Sequence, residues 1–285
     1  MSTRSTRRKV LQAPVQTIKV SGADTPPSQP ISLGPMPQSP TKGTYDQSNT
    51  LYAIRLINNF LYTLTNPKYT MTIPGFENNK FYTVKEDLNP LAFTQVSTDG
   101  STLIVCFRGS QTTVDFVTDS QYNYYNLSPP QTPEIARTAP GFTNYYNQLK
   151  AAITAEVTSS FTRIFICGHS LGASLAMLLA NDLSLTGVKG VEVYGIATPK
   201  TGNPVFAQQV AQNCRYSVSV INLADIVPSI ISSYMFNKKN PALPCSYSHV
   251  QPIAIFNNLQ ASLQACHLIA AYHEGVISNQ IFLIP

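Results

Sequence analysis

The sequence predicts an α/β fold with a mainly parallel sheet covered by helices on both faces. Three observations carry that expectation. Short apolar runs alternate with helical stretches from about residue 163 onwards, an order that parallel βαβ units impose. A hairpin signal, Asp99-Gly100, joins two strand-like runs just before that alternation begins. Finally, one apolar strand runs through a Gly-x-Ser-x-Gly turn straight into a helix rich in Ala, Leu and Met.

Each element has its own local reason. Leu51, Ile54, Ile57 and Leu61 recur at helical spacing and predict an amphipathic helix over 49–65. Residues 92–97 and 102–107 read as the two hairpin strands. Residues 111–140 form a polar connection rich in Tyr and Pro. Tyr145, Leu149 and Ile153 fall in one row of a helix over 141–161. Strands follow at 163–167, 191–197 and 216–223, with helices at 173–185 and 204–214 between them. A last strand is expected over 246–256 and a last helix over 259–278.

Composition narrows the class. The chain has 285 residues, enough for one large α/β domain, and 43% of them are hydrophobic. Charged residues make up only 12%, about half the usual share. Arg4, Arg7, Arg8, Lys9 and Lys19 account for the whole formal +5, so the remaining chain is electrically balanced. The basic excess is therefore a tail property, and nothing else suggests base readout, so no nucleic-acid partner is expected. Residues 1–45, rich in Pro, Ser, Thr and Gln, are expected to be a disordered or extended arm, with the folded domain at 46–285.

The N-terminus lacks the apolar core of a secretory signal, and no uncharged run reads as a membrane span, which leans towards a cytoplasmic or peripheral membrane setting. Five cysteines, Cys106, Cys167, Cys214, Cys245 and Cys266, show no metal-type spacing. Most are expected to be free and buried, with a Cys214–Cys245 pair left open. No metal or organic cofactor is expected.

The Gly168-x-Ser170-x-Gly172 turn is the strongest chemical signal. A sharp strand-to-helix bend needs glycines two before and two after the serine, where side chains would clash. It also presents the first amides of a helix, including that of Leu171, to a developing oxyanion.

A serine nucleophile needs a base and an acid, and they can be sought by elimination. In this arrangement they follow in the order Ser, acid, His. Asp182 lies twelve residues along the helix, roughly 18 Å away at the helical rise. Glu192 opens a strand and so sits at the wrong edge of the sheet. Glu274 follows every histidine. Asp225, directly after the 216–223 strand, fits. Among the histidines, His169 adjoins the nucleophile and reads as a packing residue, and His249 lies in a strand-like segment. His267 and His273, six residues apart in the terminal helix, face different directions. His267 is preferred, being nearer the start of that helix.

Taken in order, these motifs resemble the class 3 lipases, the family of fungal triacylglycerol lipases. Phe107-Arg-Gly-Ser110 is similar to the family's F-R-G-T/S, and Asp115-Phe116-x-x-Asp119 follows with Phe where the family usually has Trp. Gly141-Phe142 precedes a helix. Gly168-His-Ser-Leu-Gly172 matches without change. Ala197-Thr-Pro-Lys-Thr-Gly-Asn203 carries Lys200 for the usual Arg. Asn222-x-x-Asp225-x-Val227-Pro228, Tyr247-x-His249-Val250, and His267 with Tyr272 complete the set.

The resemblance implies an α/β-hydrolase fold and a Ser170, Asp225, His267 triad. It adds Ser110 beside Leu171 in the oxyanion hole and a lid between Ser110 and Gly141. It also implies hydrolysis of carboxylic esters in lipids, most directly acylglycerols, through an acyl-enzyme. A phospholipase A1 or general carboxylesterase is the nearest alternative, and a catalytically silent lipid-binding protein the alternative of another class. A lipid or ester substrate, met in transient contact with a membrane or lipid-droplet surface, is the partner these readings share.

Overall fold

A computed structural model describes residues 27–85, 87–109, 135–230, 234–237 and 240–284. Ser110 and residues 111–134 of the expected lid segment lie outside the described residues, as do the basic residues at 4–19. The centre is an eight-stranded sheet in the order β1-β2-β3-β4-β5-β6-β9-β10. β1 (Phe76–Val84), β2 (Asp87–Ser97) and β3 (Thr102–Phe107) form an antiparallel meander. β3, β4 (Arg163–His169), β5 (Val191–Ile196), β6 (Tyr216–Asn222) and β9 (Ile253–Phe256) run parallel, and β10 (Phe282–Ile284) closes the edge antiparallel. β7 (Tyr234–Asn237) and β8 (Asn240–Ser246) make a separate two-stranded sheet.

The parallel strands read as continuous apolar runs because both of their faces are buried. In β4, Ile164 and Ile166 point into one core, and Phe165 and Cys167 into the other. The first core is roofed by α2 (Pro140–Thr154), α3 (Leu171–Leu185) and α4 (Pro204–Asn213). The second lies under α1 (Gln47–Thr65) and α7 (Ile269–Ser278). Two further short helices, α5 (Val227–Ile230) and α6 (Leu263–His267), lie in the loops after β6 and β9. None of the described helices is long and apolar enough to cross a membrane.

Three expectations are refined. β1 was not foreseen; its sequence, FENNKFYTV, is mostly exposed and lacks an alternating apolar face. The run 246–256 is not one strand. β8 ends at Ser246, Ser248 makes an isolated bridge to Gly202, and only 253–256 joins the main sheet. The last helix is broken at Leu268, whose backbone is extended (φ −64°, ψ 146°). That break ends α6 at His267.

Residues 27–45 run extended against the body. The Asn59 side chain accepts from the Ile31 amide and donates to its carbonyl, both at 2.7 Å. Asn49 donates to Gln38 O, Arg163 donates to Pro37 O, and Leu33 is buried. Arg163 also pairs with the fully buried Glu192 at 2.8 Å, joining this strap to β4 and β5 at the edge away from Ser170. Cys106, Cys167, Cys214 and Cys266 are free and buried, so Cys214 is not in a disulfide.

Candidate active site

β4 ends at His169 and α3 begins at Leu171, leaving Ser170 alone to turn the chain. It does so with φ 55° and ψ −121°, a left-handed conformation that a residue with a Cβ resists. The flanking glycines explain how the bend closes. A Cβ on Gly168 would lie 2.1 Å from Gly172 O, and one on Gly172 would lie 2.4 Å from Arg108 O. The first turn of α3 is thus pressed against the exit of β3.

That exit is itself fixed. The buried Arg108 guanidinium donates to Pro90 O and Gly109 O, each at 2.7 Å. A Cβ on Gly109 would stand 3.3 Å from Ser170 Cβ, so β3 delivers its backbone directly beside the candidate nucleophile. Leu171 lies at the first position of α3, where amides have no carbonyl one turn back to bond. Ser110, the other expected oxyanion residue, follows Gly109 immediately and lies outside the described residues.

Asp225 and His267 come from two loops at the same edge of the sheet. His267 Nδ1 lies 2.7 Å from Asp225 Oδ2, with both side chains buried. Tyr272 donates its hydroxyl to the same oxygen at 2.7 Å, and the Val227 amide donates to Asp225 Oδ1 at 2.9 Å. The Tyr272 phenol is pushed well above its usual range, chiefly by burial and then by the Asp225 carboxylate, so it remains a donor.

Asn222 ties the two loops together. Its Oδ1 accepts from the Ala224 and Asn258 amides, and its Nδ2 donates to Asn258 O and Cys266 O. The Asn222 amide in turn donates to the Tyr272 oxygen at 3.2 Å.

His169 has more than the packing part expected of it. Its Nε2 lies 2.8 Å from the carbonyl oxygen of His267, and the two rings stand 4.7 Å apart between centroids. Burial, then the proximity of His267, pushes the His169 pKa down to about 3. The neutral ring therefore donates through Nε2 to that carbonyl.

The remaining acids are engaged elsewhere. Asp182 accepts from Tyr146 and pairs with Lys150; Glu192 pairs with Arg163; Glu274 accepts from Asn258 and Gln260. His273 is half-buried on α7 and feels Arg55, and His249 is half-buried and feels Lys200. Sequence reading placed Asn222 and Tyr272 in motifs without giving them work. Their signal was chemical: a buried amide or phenol needs partners, and both lie on the loops that carry Asp225 and His267. Among the described residues, no group of three or more His, Cys, Asp or Glu side chains could hold a metal ion.

A serine on a strained strand-to-helix turn, beside a buried His–Asp pair, is the layout for acyl transfer. A family model described as Lipase (class 3) matches residues 104–235, which include the Ser170 turn and Asp225. Over those residues the chain is similar to the class 3 lipases.

It is 26% identical over 166 residues to a secreted mono- and diacylglycerol lipase A of Penicillium cyclopium, covering 56% of this chain and 50% of that protein. It is 23% identical over 283 residues to a chloroplastic phospholipase A1-Igamma3 of Arabidopsis thaliana, covering 76% of this chain and 52% of that one. The chain spans about half the length of these curated relatives.

Among solved structures, the Rhizomucor miehei triacylglyceride lipase superposes with a TM-score of 0.53 at 20% identity, over 74% of this chain and 79% of that one. A lipase from Rhizopus microsporus var. chinensis gives 0.51 at 20% identity, over 84% of each chain. This likeness shows the α/β-hydrolase fold of the chain.

Proposed function

We propose that the chain hydrolyses carboxylic esters in lipids, acylglycerols first among them, through an acyl-enzyme on Ser170. The observation that carries this reading is the juxtaposition of the left-handed Ser170 turn with the 2.7 Å His267–Asp225 pair at one sheet edge.

In the proposed reaction, Ser170 Oγ attacks the ester carbonyl and His267 takes its proton through Nε2. Asp225 holds Nδ1–H and stabilises the imidazolium that forms. The amides of Leu171 and Ser110 receive the charge developing on the carbonyl oxygen. His267 then returns the proton to the departing alcohol. Water, activated by the same imidazole, releases the fatty acid and restores Ser170. No step calls on a metal or an organic cofactor. The acting domain is assigned to residues 46–285, with 1–45 as an arm whose described part, 27–45, straps onto it.

A second reading, phospholipase A1 activity, draws support from the likeness to the Arabidopsis protein, which extends over 76% of this chain. Purified protein should be assayed on p-nitrophenyl butyrate and laurate, on trioleoylglycerol and on phosphatidylcholine, with Ser170→Ala alongside. The acylglycerol reading expects release of fatty acid from trioleoylglycerol at a rate exceeding that from phosphatidylcholine. Ser170→Ala should lower every rate by about 10³-fold or more. Phosphatidylcholine as the preferred substrate would favour the second reading, and equal rates for wild type and Ser170→Ala would end both.

A further inference from the structure

β3 and β4 pair in parallel, with Cys106 directly opposite Cys167. Side chains at paired positions of neighbouring strands project from the same face. Both thiols therefore enter the second core, beneath α1, and both cysteines are fully buried. The Cys106 thiol is hydrogen-bonded to Cys167; burial first, and then this contact, pushes it well above the ordinary thiol range. Cys214 and Cys266 have other partners. Cys214 Sγ donates to Ala180 O at 3.7 Å, and Cys266 Sγ accepts from the Gln260 amide at 3.3 Å.

The pair sits where a small displacement reaches the chemistry. Cys106 is three residues before Gly109 and Cys167 three before Ser170, about 10 Å along each strand. The two exits have no slack. A Cβ on Gly109 would stand 3.3 Å from Ser170 Cβ, and one on Gly172 would stand 2.6 Å from Phe107 O. Neighbouring strands lie about 4.8 Å apart, within the about 4.4–6.8 Å that a disulfide spans between Cα atoms. The Cβ atoms of a disulfide approach more closely, to about 3.5–4.5 Å, so linkage draws the strands together by roughly 0.5 Å.

We propose that Cys106 and Cys167 form a reversible oxidation site for hydroperoxides, whose disulfide shifts the Gly109 and Ser170 backbones and turns down hydrolysis. One thiol, as its thiolate, attacks the peroxide O–O bond, giving a sulfenic acid and, after proton transfer, water. The second thiol displaces the sulfenic hydroxyl as a second water, and the S–S bond forms. In all, two thiols lose two electrons and two protons, and hydrogen peroxide takes up both. Burial keeps the thiols protonated, so the reaction is slow and waits on local opening of the core. The effect on turnover rests on the ester-hydrolase reading above; the linkage itself does not.

The test uses the full chain, reduced and then freed of reductant. Incubation with hydrogen peroxide should link Cys106 to Cys167, seen as one joined peptide in non-reducing peptide mapping. On p-nitrophenyl butyrate, kcat should fall by at least about fivefold, because sub-ångström misplacement of reacting groups is costly. Dithiothreitol should restore it. Cys106→Ala and Cys167→Ala, each replacing a small apolar side chain, should keep turnover within about twofold of wild type and lose the reversible decline. Cys214→Ala should retain the decline. Should an alanine variant fold poorly, the joined peptide and the dithiothreitol-reversible decline in wild type still decide the matter.

Absence of the joined peptide, or an equal reversible decline in Cys106→Ala, would overturn the proposal. So would a linked protein as active as the reduced one. Linkage in a protein that hydrolyses no ester even when reduced would sink the hydrolase reading and support the thiol pair. Ester turnover that peroxide leaves unchanged, with both thiols still reduced, would do the reverse.

Discussion

His169 Nε2 donates to the backbone carbonyl of His267 across 2.8 Å, so the residue before the candidate nucleophile anchors the candidate base. The contact spans 98 residues of sequence and joins the end of β4 to the end of α6. It fixes the backbone from which the His267 ring projects. The ring's own orientation comes from Asp225.

His169→Phe keeps an aromatic ring of similar size and removes the donor. It should leave the protein folded, weaken stability by about 1–2 kcal/mol, and lower kcat about tenfold with less change in KM. Urea unfolding and steady-state hydrolysis of p-nitrophenyl butyrate would read both numbers. Unaltered turnover would mean that the contact positions nothing.

The backbone at Ser170 makes a second expectation, about stability alone. A residue with a Cβ at φ 55° and ψ −121° is strained by about 1–3 kcal/mol. Glycine relieves that strain but adds freedom to the unfolded chain, worth about 1 kcal/mol or less. Both Ser170→Gly and Ser170→Ala should be inactive, with the glycine variant at least as stable in urea. An alanine variant clearly more stable than the glycine one would show that the turn stores no strain.

Tyr272 shares Asp225 Oδ2 with His267 and accepts from the Asn222 amide. Tyr272→Phe removes one hydrogen bond to a carboxylate, typically about 1.5–3 kcal/mol. It should lower kcat about tenfold or more and leave KM for a soluble ester nearly unaltered. A change confined to KM would assign Tyr272 to substrate contact instead.

Much of this site could be read in the chain itself. Ser170 announces itself through Gly168 and Gly172, because a bend so tight admits no side chain at either place. Asp225 emerges as the candidate acid by elimination, since Asp182 lies far along its helix, Glu192 opens its strand at the opposite edge and Glu274 follows every histidine. The linkage through Asn222, Tyr272 and His169 was not legible. Hydrogen bonds between residues 36 to 98 positions apart leave no periodic trace. The break at Leu268 was hidden for a related reason. Residues 259–278 are apolar enough to suggest one helix, and only the need to present His267 at the sheet edge separates α6 from α7. β1 was missed because nothing apolar marks a strand that is paired on one side and exposed on its faces.

Two histidines make stability depend on pH. Burial pushes His169 down to about 3. It pushes His249 to about 4, with Lys200 adding repulsion and the Pro228 carbonyl partly compensating. Unfolding returns both to the ordinary value of 6.5, where they take up protons. Their contribution is therefore complete above pH 6.5 and is lost as pH falls towards 4 and then 3. Between pH 6 and 5, each should add about 1 kcal/mol per pH unit to the slope of unfolding free energy against pH. Urea titrations of wild type and His249→Gln across that window should show a shallower slope in the variant. An unchanged slope would place the proton uptake elsewhere.

The central claim is that Ser170 is made nucleophilic by His267. Reaction with a fluorophosphonate probe, followed by peptide mapping, tests it most directly. One adduct is expected, on Ser170, with labelling slowed by about 10³-fold or more in His267→Ala. An adduct on another serine, or equal labelling of Ser170 without His267, would contradict the account.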